Sequence, residues 1–243
     1  LLDSQLGKGT TFTVILPSAI QDKDRIWFIH ASEPRQFDDS YYLQLKVLVG
    51  EKGYQEETIH RKCDDSAFHI IAYKGFQPIG TVSVHLSEAN GHIPIEENFQ
   101  ISPFLRGVPY AEIDRLAVTK DERLGLTPFE IMVLSYLYAR GWGAKQIFID
   151  VFADEASQIQ MFKKVGFEII GSYSNPLPCT VMMMNHASIY EQKTPNNQLF
   201  IKRTISRLIP KIDFSAEELS LVMKAIDEIN AIFPRQDTVD TKE

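Results

Sequence analysis

Two charged residues lie three positions apart in the strand-like run AEIDRLAV, where Glu112 is followed by Arg115. A carboxylate at this kind of position can take a proton from a substrate, and a guanidinium can orient that carboxylate or bind an anion. Side chains alternate along a strand, so residues three apart point to opposite faces unless a β-bulge intervenes. The two residues are therefore either a catalytic base and its partner, or a surface Glu and Arg paired across the sheet.

The stretch RLGLTPFE, from Arg123 to Glu130, leads from this strand into a helix. Thr127 and Glu130 match a capping box, with Pro128 at the first helical position, which explains the helix start without any ligand. Arg123 and Gly125 are not needed for the cap. A cation and a glycine before a helix start gather backbone N–H groups, the helix dipole and a guanidinium around one point, which suits a phosphate.

Other kinds of site have less support. The six histidines include neither HExxH nor a pair at ligand spacing, so we expect no metal. His69 is either a substrate contact or, more simply, a histidine satisfied within a sheet. The two cysteines, Cys63 and Cys179, form no CxxC, which disfavours a disulfide framework and fits a reducing cytoplasm. GKGTT is no phosphate loop, because the lysine is followed by glycine rather than Ser or Thr.

The composition sets further limits. The chain has 243 residues, of which 44% are hydrophobic, enough for one large domain with a core. A net charge of −7 and the lack of a dense basic stripe argue against a nucleic-acid partner. No apolar run approaches the roughly 20 residues that span a bilayer, and no signal peptide opens the chain, so we expect a cytoplasmic protein. The absence of an initiator Met suggests a fragment of something longer.

The elements that must position these residues alternate between strands and helices. Strand patterns occur in IWFIHAS, AFHIIAYKG, PIGTVSVHLSE, AEIDRLAV, QIFIDVF, FEIIGSYS and CTVMMMNH. Helix patterns occur in DDSYYLQLKVLVGEKGY, from Pro128 to about Arg140, and in EASQIQMFKKVG. This order predicts an α/β fold with one partly parallel central sheet of about seven strands flanked by helices. A long polar loop, NGHIPIEENFQISPFLRGVPY, precedes the strand that carries Glu112.

Three units are expected along the chain. Residues 25–190 form the α/β domain. After a linker, QKTPNNQ, residues 197–235 form a C-terminal helical extension of two amphipathic helices, the second opened by Ser215 with Glu218 three residues on. Within residues 1–20, SQLGKGTTFTVILP resembles the end of the ATP-binding domain of sensor histidine kinases, where a glycine turn leads into the last strand. That resemblance implies a remnant of an upstream signalling domain.

The run from Ala111 to Gly171 resembles the GNAT superfamily of N-acetyltransferases. AEIDRLAV matches the fourth strand of that superfamily, DERLGLT its cofactor-phosphate loop, and MFKKVGFEIIG its helix-to-strand signature. Within the superfamily, the chain is similar to the branch of the autoinducer synthases and N-acyl amino acid synthases. The similarity lies in Glu-x-x-Arg followed by apolar residues and valine, and in the segments YYLQLKVLVGEKGY and CDDSAFH. The resemblance implies the GNAT fold and the transfer of an acyl group from a thioester to the amine of a small molecule. The thioester would be acyl-CoA or the acyl-phosphopantetheine of an acyl carrier protein.

The same resemblance implies roles for individual residues. Glu112, alone or through a water, would be the base for the amine, and Arg115 would orient Glu112 or bind substrate across a bulge in the strand. The backbone groups of Leu116, Ala117 and Val118 in the strand would bind the pantetheine arm and the carbonyl oxygen of the thioester. The following turn would bind the phosphate through Arg123, Gly125, Leu126 and Thr127.

The chain departs from the pattern of the superfamily at several positions. Thr127 takes the place of a small residue, Pro128 removes one N–H donor, and Glu130 adds negative charge, which favours the single phosphate of an acyl carrier protein over a CoA pyrophosphate. Phe162 replaces the tyrosine that commonly protonates the departing thiolate. Ser83 stands where the autoinducer branch has an arginine, and Asp154 or Glu155 where an asparagine is often found.

Three functions are compatible with these patterns. The first is an N-acyltransferase that moves a fatty acyl group to a small amine such as an amino acid. The second is a GNAT-like ligand-binding module of a two-component signalling protein, with weak activity or none. The third is an acetyl-CoA-dependent N-acetyltransferase. Met182 to Met184 fit either a plain core strand or the lining of an acyl-chain pocket.

Overall fold

A computed structural model of the protein describes residues 2–5, 9–12, 23–59, 62–87, 91–174, 177–185 and 195–232. The strands in this part of the chain are β1 (Leu2–Gln5), β2 (Gly9–Phe12), β3 (Ile26–His30), β4 (Phe68–Lys74), β5 (Gln77–Leu86), β6 (Tyr110–Val118), β7 (Gln146–Phe152), β8 (Glu168–Tyr173), β9 (Cys179–Asn185) and β10 (Ile212–Asp213). The α-helices are α1 (Pro34–Gln44), α2 (Thr127–Trp142), α3 (Ala156–Lys164), α4 (Pro195–Leu208) and α5 (Ala216–Ile232).

One eight-stranded mixed sheet organises the chain, in the order β10-β3-β4-β5-β6-β7-β9-β8. β3 to β6 are antiparallel, β6 and β7 are parallel, and β9 pairs antiparallel with β7 and with β8. The predicted α/β fold with a mixed sheet and a helical C-terminal part is therefore confirmed. The sheet has more strands than expected because β10, which joins α4 to α5, pairs with the edge strand β3.

Alternation along the strands divides the sheet into two chemically different faces. Val82 and Val84 belong to the main core, which also contains residues of α2 and α5. Thr81, Ser83 and His85 occupy the intervening positions and are fully buried on the opposite face. That face is covered by α1 and by the segment from 91 to 109, so polar side chains of the central strands are buried there.

The C-terminal helix α5 shares the core of the sheet. Gly141 of α2 approaches α5 so closely that a Cβ atom at this position would lie 1.8 Å from the carbonyl oxygen of Leu221. Arg140 reinforces the contact, with its Nη2 atom 2.6 Å from Glu228. α2 is consequently buried between the sheet on one side and α5 on the other.

Two sequence predictions about helix starts have different outcomes. At α5 the capping box is confirmed, because the Glu218 N–H donates to Ser215 Oγ at 3.3 Å and the Ser215 N–H to Glu218 at 2.9 Å. At α2 it was wrong. Leu126 is the capping residue, without a side-chain bond, and Thr127 lies inside the first turn. Glu130 accepts a 2.6 Å hydrogen bond from Lys211 instead, a partner that follows α4 in the chain.

Other boundaries also differ from expectation. α1 begins at Pro34, earlier than predicted, and continues into a π-helical turn, Leu45–Val49. α4 begins at Pro195, inside the stretch interpreted as a linker, because proline is well suited to the first turn of a helix. Within residues 1–20, β1 and β2 pair as an antiparallel hairpin, and the other residues lie outside the described ranges. In the part of the chain that the structure describes, every helix is too short or too polar to cross a bilayer.

Candidate active site

The sheet opens between β6 and β7. In the described chain these two parallel strands pair at three positions, Tyr110 with Gln146, Ala111 with Ile147 and Glu112 with Phe148. Beyond Glu112 both strands continue, β6 to Val118 and β7 to Phe152, without further pairing. The result is a fork, in which the β6 residues from Ile113 onward have no paired strand on the β7 side.

A β-bulge reshapes β6 just past the fork. Thr81 pairs with Ala117 and Ser83 with Asp114, so the single β5 residue Val82 lies opposite both Arg115 and Leu116. Arg115 has a φ of 53°, a left-handed conformation that non-glycine residues rarely adopt. The bulge that the family resemblance implied in this strand is confirmed.

Arg115 is the centre of a buried ion-pair network. Its guanidinium donates to both carboxylate oxygens of Asp64, to Asp114 at 3.0 Å and to the carbonyl of Ile59. Burial alone would lower the pKa of Arg115, but Asp114 and Asp64 raise it above its usual value, so the guanidinium stays charged. Glu112 and Arg115 are both buried, and the interpretation as an exposed surface pair was therefore wrong.

Glu112 lies at the vertex of the fork, as the last β6 residue that pairs with β7. It is 1% exposed, and its Oε2 atom accepts a 2.7 Å hydrogen bond from the N–H of Ile95 in the loop that precedes β6. Carboxylate oxygens of Glu112, Asp114 and Asp150 all lie within 4.8 Å of one another. Three carboxylates this close favour a shared proton, an ammonium group or a cation between them.

His85 faces the same side of the sheet and was not identified from the sequence. It pairs with Glu112 across β5 and β6, is fully buried, and has no hydrogen-bond partner at either ring nitrogen. Its Nε2 atom lies 3.8 Å from Asp114. Burial lowers the pKa of His85 to about 4, so the imidazole is neutral near neutral pH. The signal in the sequence was the alternation in VSVHL, which places His85 on the same face as Ser83.

His69, in contrast, is satisfied within the sheet, as its simpler interpretation predicted. Its Nδ1 atom lies 3.0 Å from Ser83 Oγ, and its Nε2 atom lies 3.1 Å from the carbonyl oxygen of Asp64. Burial lowers the pKa of His69.

The turn after β6 holds its arginine in place. Arg123 donates from Nε to the Val118 carbonyl at 2.7 Å, and its Nη1 atom lies 2.6 Å from Glu51. The Gly125 N–H donates to the carbonyl oxygen of Glu122 at 3.1 Å, while Leu126 is half exposed and Thr127 is buried. The first-turn N–H groups of α2 have no acceptors within the helix, as at any helix start. The predicted phosphate residues are thus contiguous with the open strand edge, although Glu51 and the Val118 carbonyl already engage Arg123.

A short segment after α1 bridges the two strand ends beyond the fork. Glu51 contacts Arg123, which follows β6, and Lys52 forms an ion pair with Glu155, which follows β7. Tyr54 packs edge-on against Phe152, with ring centroids 5.3 Å apart. Residues 51–54 therefore lie where a ligand entering the gap from the carboxyl ends of the strands would pass.

The α2 face of the fork borders an apolar cavity of about 80 Å³. Ile113, the first β6 residue beyond the last pair with β7, contributes to its wall, as do Phe129 in the first turn of α2 and Met184 of β9. Phe162, which occupies the place of the expected tyrosine, is another wall residue and packs against Phe167. The predicted acyl-facing role fits Met184, whereas Met183 packs on the opposite face.

A larger cleft of about 600 Å³ lies on the other face, between α1 and the segment that carries Asp64. Phe37, Tyr41, Asp65 and His69 contribute to its walls, and Asp64 connects it to Arg115. The sheet thus has a cleft of mixed polar and apolar lining on the face of Glu112 and an apolar cavity on the face of Ile113.

Cys179 lies near the carboxylates but is poorly suited to act as a nucleophile. Burial raises the pKa of its thiol to about 11, so the thiolate is scarce near neutral pH. A direct attack on a thioester by an incoming amine needs no such nucleophile.

A family model described as N-acyl amino acid synthase FeeM matches residues 48–184, more than half of the chain. The structure of FeeM, an N-acyl amino acid synthase from uncultured soil microbes, is 16% identical, with a TM-score of 0.58 over 72% of this chain and 98% of that chain. A putative N-acetyltransferase from Lactobacillus plantarum is also 16% identical, with a TM-score of 0.51 over 66% of this chain and 97% of that one. At these identities the two structures show a shared fold.

Proposed function

Because the chain belongs to the FeeM family of N-acyl amino acid synthases and is an N-acyltransferase, we propose that it moves a fatty acyl group from an acyl carrier protein to the amine of a small molecule such as an amino acid. The observation that carries the proposal is the fork between β6 and β7, with Glu112 as its last paired residue. An extended pantetheine arm can pair with the open β6 edge, which would bring its thioester to Glu112.

In the proposed reaction the amine nitrogen attacks the thioester carbonyl carbon. A C–N bond forms, the C–S bond breaks and the pantetheine thiol departs. Glu112, directly or through a water, takes the proton that the amine loses, and that proton is available to the departing thiolate. The partly buried carboxylate of Asp150, together with buried Asp114, whose charge Arg115 partly offsets, would attract the ammonium form of the acceptor to the same place.

The acyl carrier protein is proposed as donor because the turn after β6 offers few contacts to a pyrophosphate. Pro128 has no N–H group, and Glu51 already engages the Arg123 guanidinium at 2.6 Å. A single phosphate on phosphopantetheine needs fewer donors than CoA does. Lys211 forms an ion pair with Glu130 and offsets its negative charge beside the helix start. This end of the helix therefore repels an anion less than the sequence suggested.

A fatty acyl group, rather than acetyl, is proposed because of the cavity on the Ile113 side. Its walls are apolar and include Met132, Met161 and Met184, whose flexible side chains adapt to the shape of a hydrocarbon. An acetyl group would contact only the end of this apolar wall, whereas a longer hydrocarbon would contact more of it once the methionines change rotamer.

The proposal is tested by incubating the protein with acetyl-CoA, with fatty acyl-CoA and with the fatty acyl carrier protein, each with a panel of amino acids and amines. We expect free thiol and an N-acyl product with the fatty acyl carrier protein. Efficient turnover of acetyl-CoA alone would support the N-acetyltransferase alternative. Release of no thiol with any pair would overturn the proposal. The link to a signalling protein stays a prediction, tested by whether an ATP-binding domain is encoded upstream.

A further inference from the structure

The apolar cavity starts at the proposed reaction centre and extends away from it. Ile113 lies directly beyond the last pair between β6 and β7, so this end of the cavity is at the vertex of the fork. Along α2 the wall runs from Phe129 to Leu137, a distance of about 12 Å at the usual helical rise. A chain attached to a thioester carbonyl at the fork would therefore extend into the cavity.

The C-terminal helices contribute to the wall of this cavity. Ile205 of α4 and Ile229 of α5 both border it, and each is 6% exposed. Neither residue belongs to the range 48–184 that the family model matches. The close contact of Gly141 in α2 with Leu221 docks α5, the helix that carries Ile229, against α2. The extent of the cavity therefore depends on helices outside the matched region.

We propose that Ile205 and Ile229 form the end of the acyl-chain pocket and determine the chain length that the enzyme accepts. This inference rests on the proposed function, because it assumes that the donor carries a hydrocarbon chain. The cavity of about 80 Å³ equals the liquid volume of roughly two to three water molecules. A chain longer than a few carbons fits when the methionines in the wall change rotamer, and the two isoleucines then set the limit.

The experiment measures binding without an acceptor amine, so it does not depend on turnover. Dissociation constants of a series from butyryl- to palmitoyl-pantetheine are determined by calorimetry for the wild type and for Ile229→Ala. We expect the variant to bind the longer chains about tenfold more tightly relative to butyryl, the effect of burying one to two additional methylene groups. Ile229→Phe should shift the preference towards short chains.

Ile226→Ala is the matched control. Ile226 lies on the same helix and is 4% exposed, but it packs in the core without bordering the cavity. It should lose stability like Ile229→Ala without a change in chain-length profile. If Ile229→Ala does not fold, Ile229→Val can be used instead. It enlarges the pocket by less, and we expect a smaller shift of the chain-length preference in the same direction.

The outcomes separate this inference from the proposed function. A shifted profile for Ile229→Ala but not for Ile226→Ala supports the inference, even if no acyl transfer is found with any amine. Identical profiles for the two variants and the wild type would overturn it, even if the wild type transfers acyl groups. Failure of the wild type to bind any acyl-pantetheine would also overturn it.

Discussion

The guanidinium of Arg115 donates hydrogen bonds to both carboxylate oxygens of Asp64, which joins the bulge in β6 to the segment before β4. Both side chains are almost fully buried. This pair lets a non-glycine residue hold a left-handed conformation where β6 bulges against β5, just beyond its last pair with β7, so it stabilises the shape of the fork.

Removing one partner of this pair should therefore be costly. We expect Asp64→Asn to lower the free energy of unfolding by about 3 to 5 kcal/mol, because it leaves a buried guanidinium with less compensation. Urea unfolding measures the effect. Asp65→Asn is the control, since Asp65 is exposed and its substitution should change stability by less than about 0.5 kcal/mol. Equal effects of the two substitutions would contradict the role assigned to Arg115 and Asp64.

Because Glu51 and Arg123 are in contact, substitutions of these two residues should have opposite effects on donor binding. Arg123→Gln should raise the KM for a phosphopantetheine donor, because it removes the cation nearest to the turn. Glu51→Gln should lower that KM by about two- to fivefold, since it frees the guanidinium from a partly exposed ion pair. Steady-state kinetics test both predictions, and Glu57→Gln, which removes an exposed carboxylate outside this turn, is the control. A rise in KM for Glu51→Gln would show that the pair only supports the turn.

The neutral state of His85 predicts a dependence of stability on pH. Its pKa is about 4 when folded and 6.5 in the unfolded chain, so the unfolded state binds more protons between these values. Stability is therefore lost as pH falls from 6.5 towards 4, by up to about 3 kcal/mol from this group. The lowered pKa of His69 acts in the same direction.

His85→Leu should remove most of the His85 contribution, and unfolding free energies at several pH values measure it. His92→Gln, at an exposed position, should keep the wild-type slope. If His85→Leu and the wild type lose stability equally on acidification, the buried neutral imidazole of His85 is not the cause of that loss.

The close approach of α2 and α5 predicts that Gly141 tolerates no side chain. A Cβ atom at Gly141 would meet the backbone of Leu221, which cannot rotate away, so Gly141→Ala should cost about 3 kcal/mol or displace α5. Thermal unfolding and protease cleavage at α5 measure this. At Gly125 the nearest atom to an added Cβ is 3.3 Å away, and Gly125→Ala should have a much smaller effect. Similar effects at both sites would argue against tight docking of α5.

Local patterns were sufficient for most of the fold. Alternating hydrophobicity located seven of the eight strands of the sheet, all except β10. The capping box at Ser215 and Glu218 was correct because both partners lie within one turn. At α2 the same pattern failed, because Glu130 found a better partner in Lys211, from a distant part of the chain. A capping-box sequence shows which hydrogen bonds a helix start can form by itself, and a tertiary partner can replace those bonds.

The candidate site was harder to predict for a similar reason. Glu112 and Arg115 could be identified from a motif, but His85, Asp114 and Asp150 are brought together by the pairing of three strands. The fork itself depends on where β6 and β7 stop pairing, which has no local signal in either strand. Asp64, which pairs with Arg115, and Glu51, which pairs with Arg123, likewise lie in segments remote from the motif.

The most direct test of Glu112 as the base of an acyl transfer at this fork is the single-turnover rate of Glu112→Gln with a bound acyl donor and saturating amine. We predict a rate about 10²- to 10⁴-fold below the wild type, with little change in donor affinity, because only proton removal is lost. Glu122→Gln, in the turn after β6, should transfer at nearly the wild-type rate. A wild-type rate for Glu112→Gln would contradict the account.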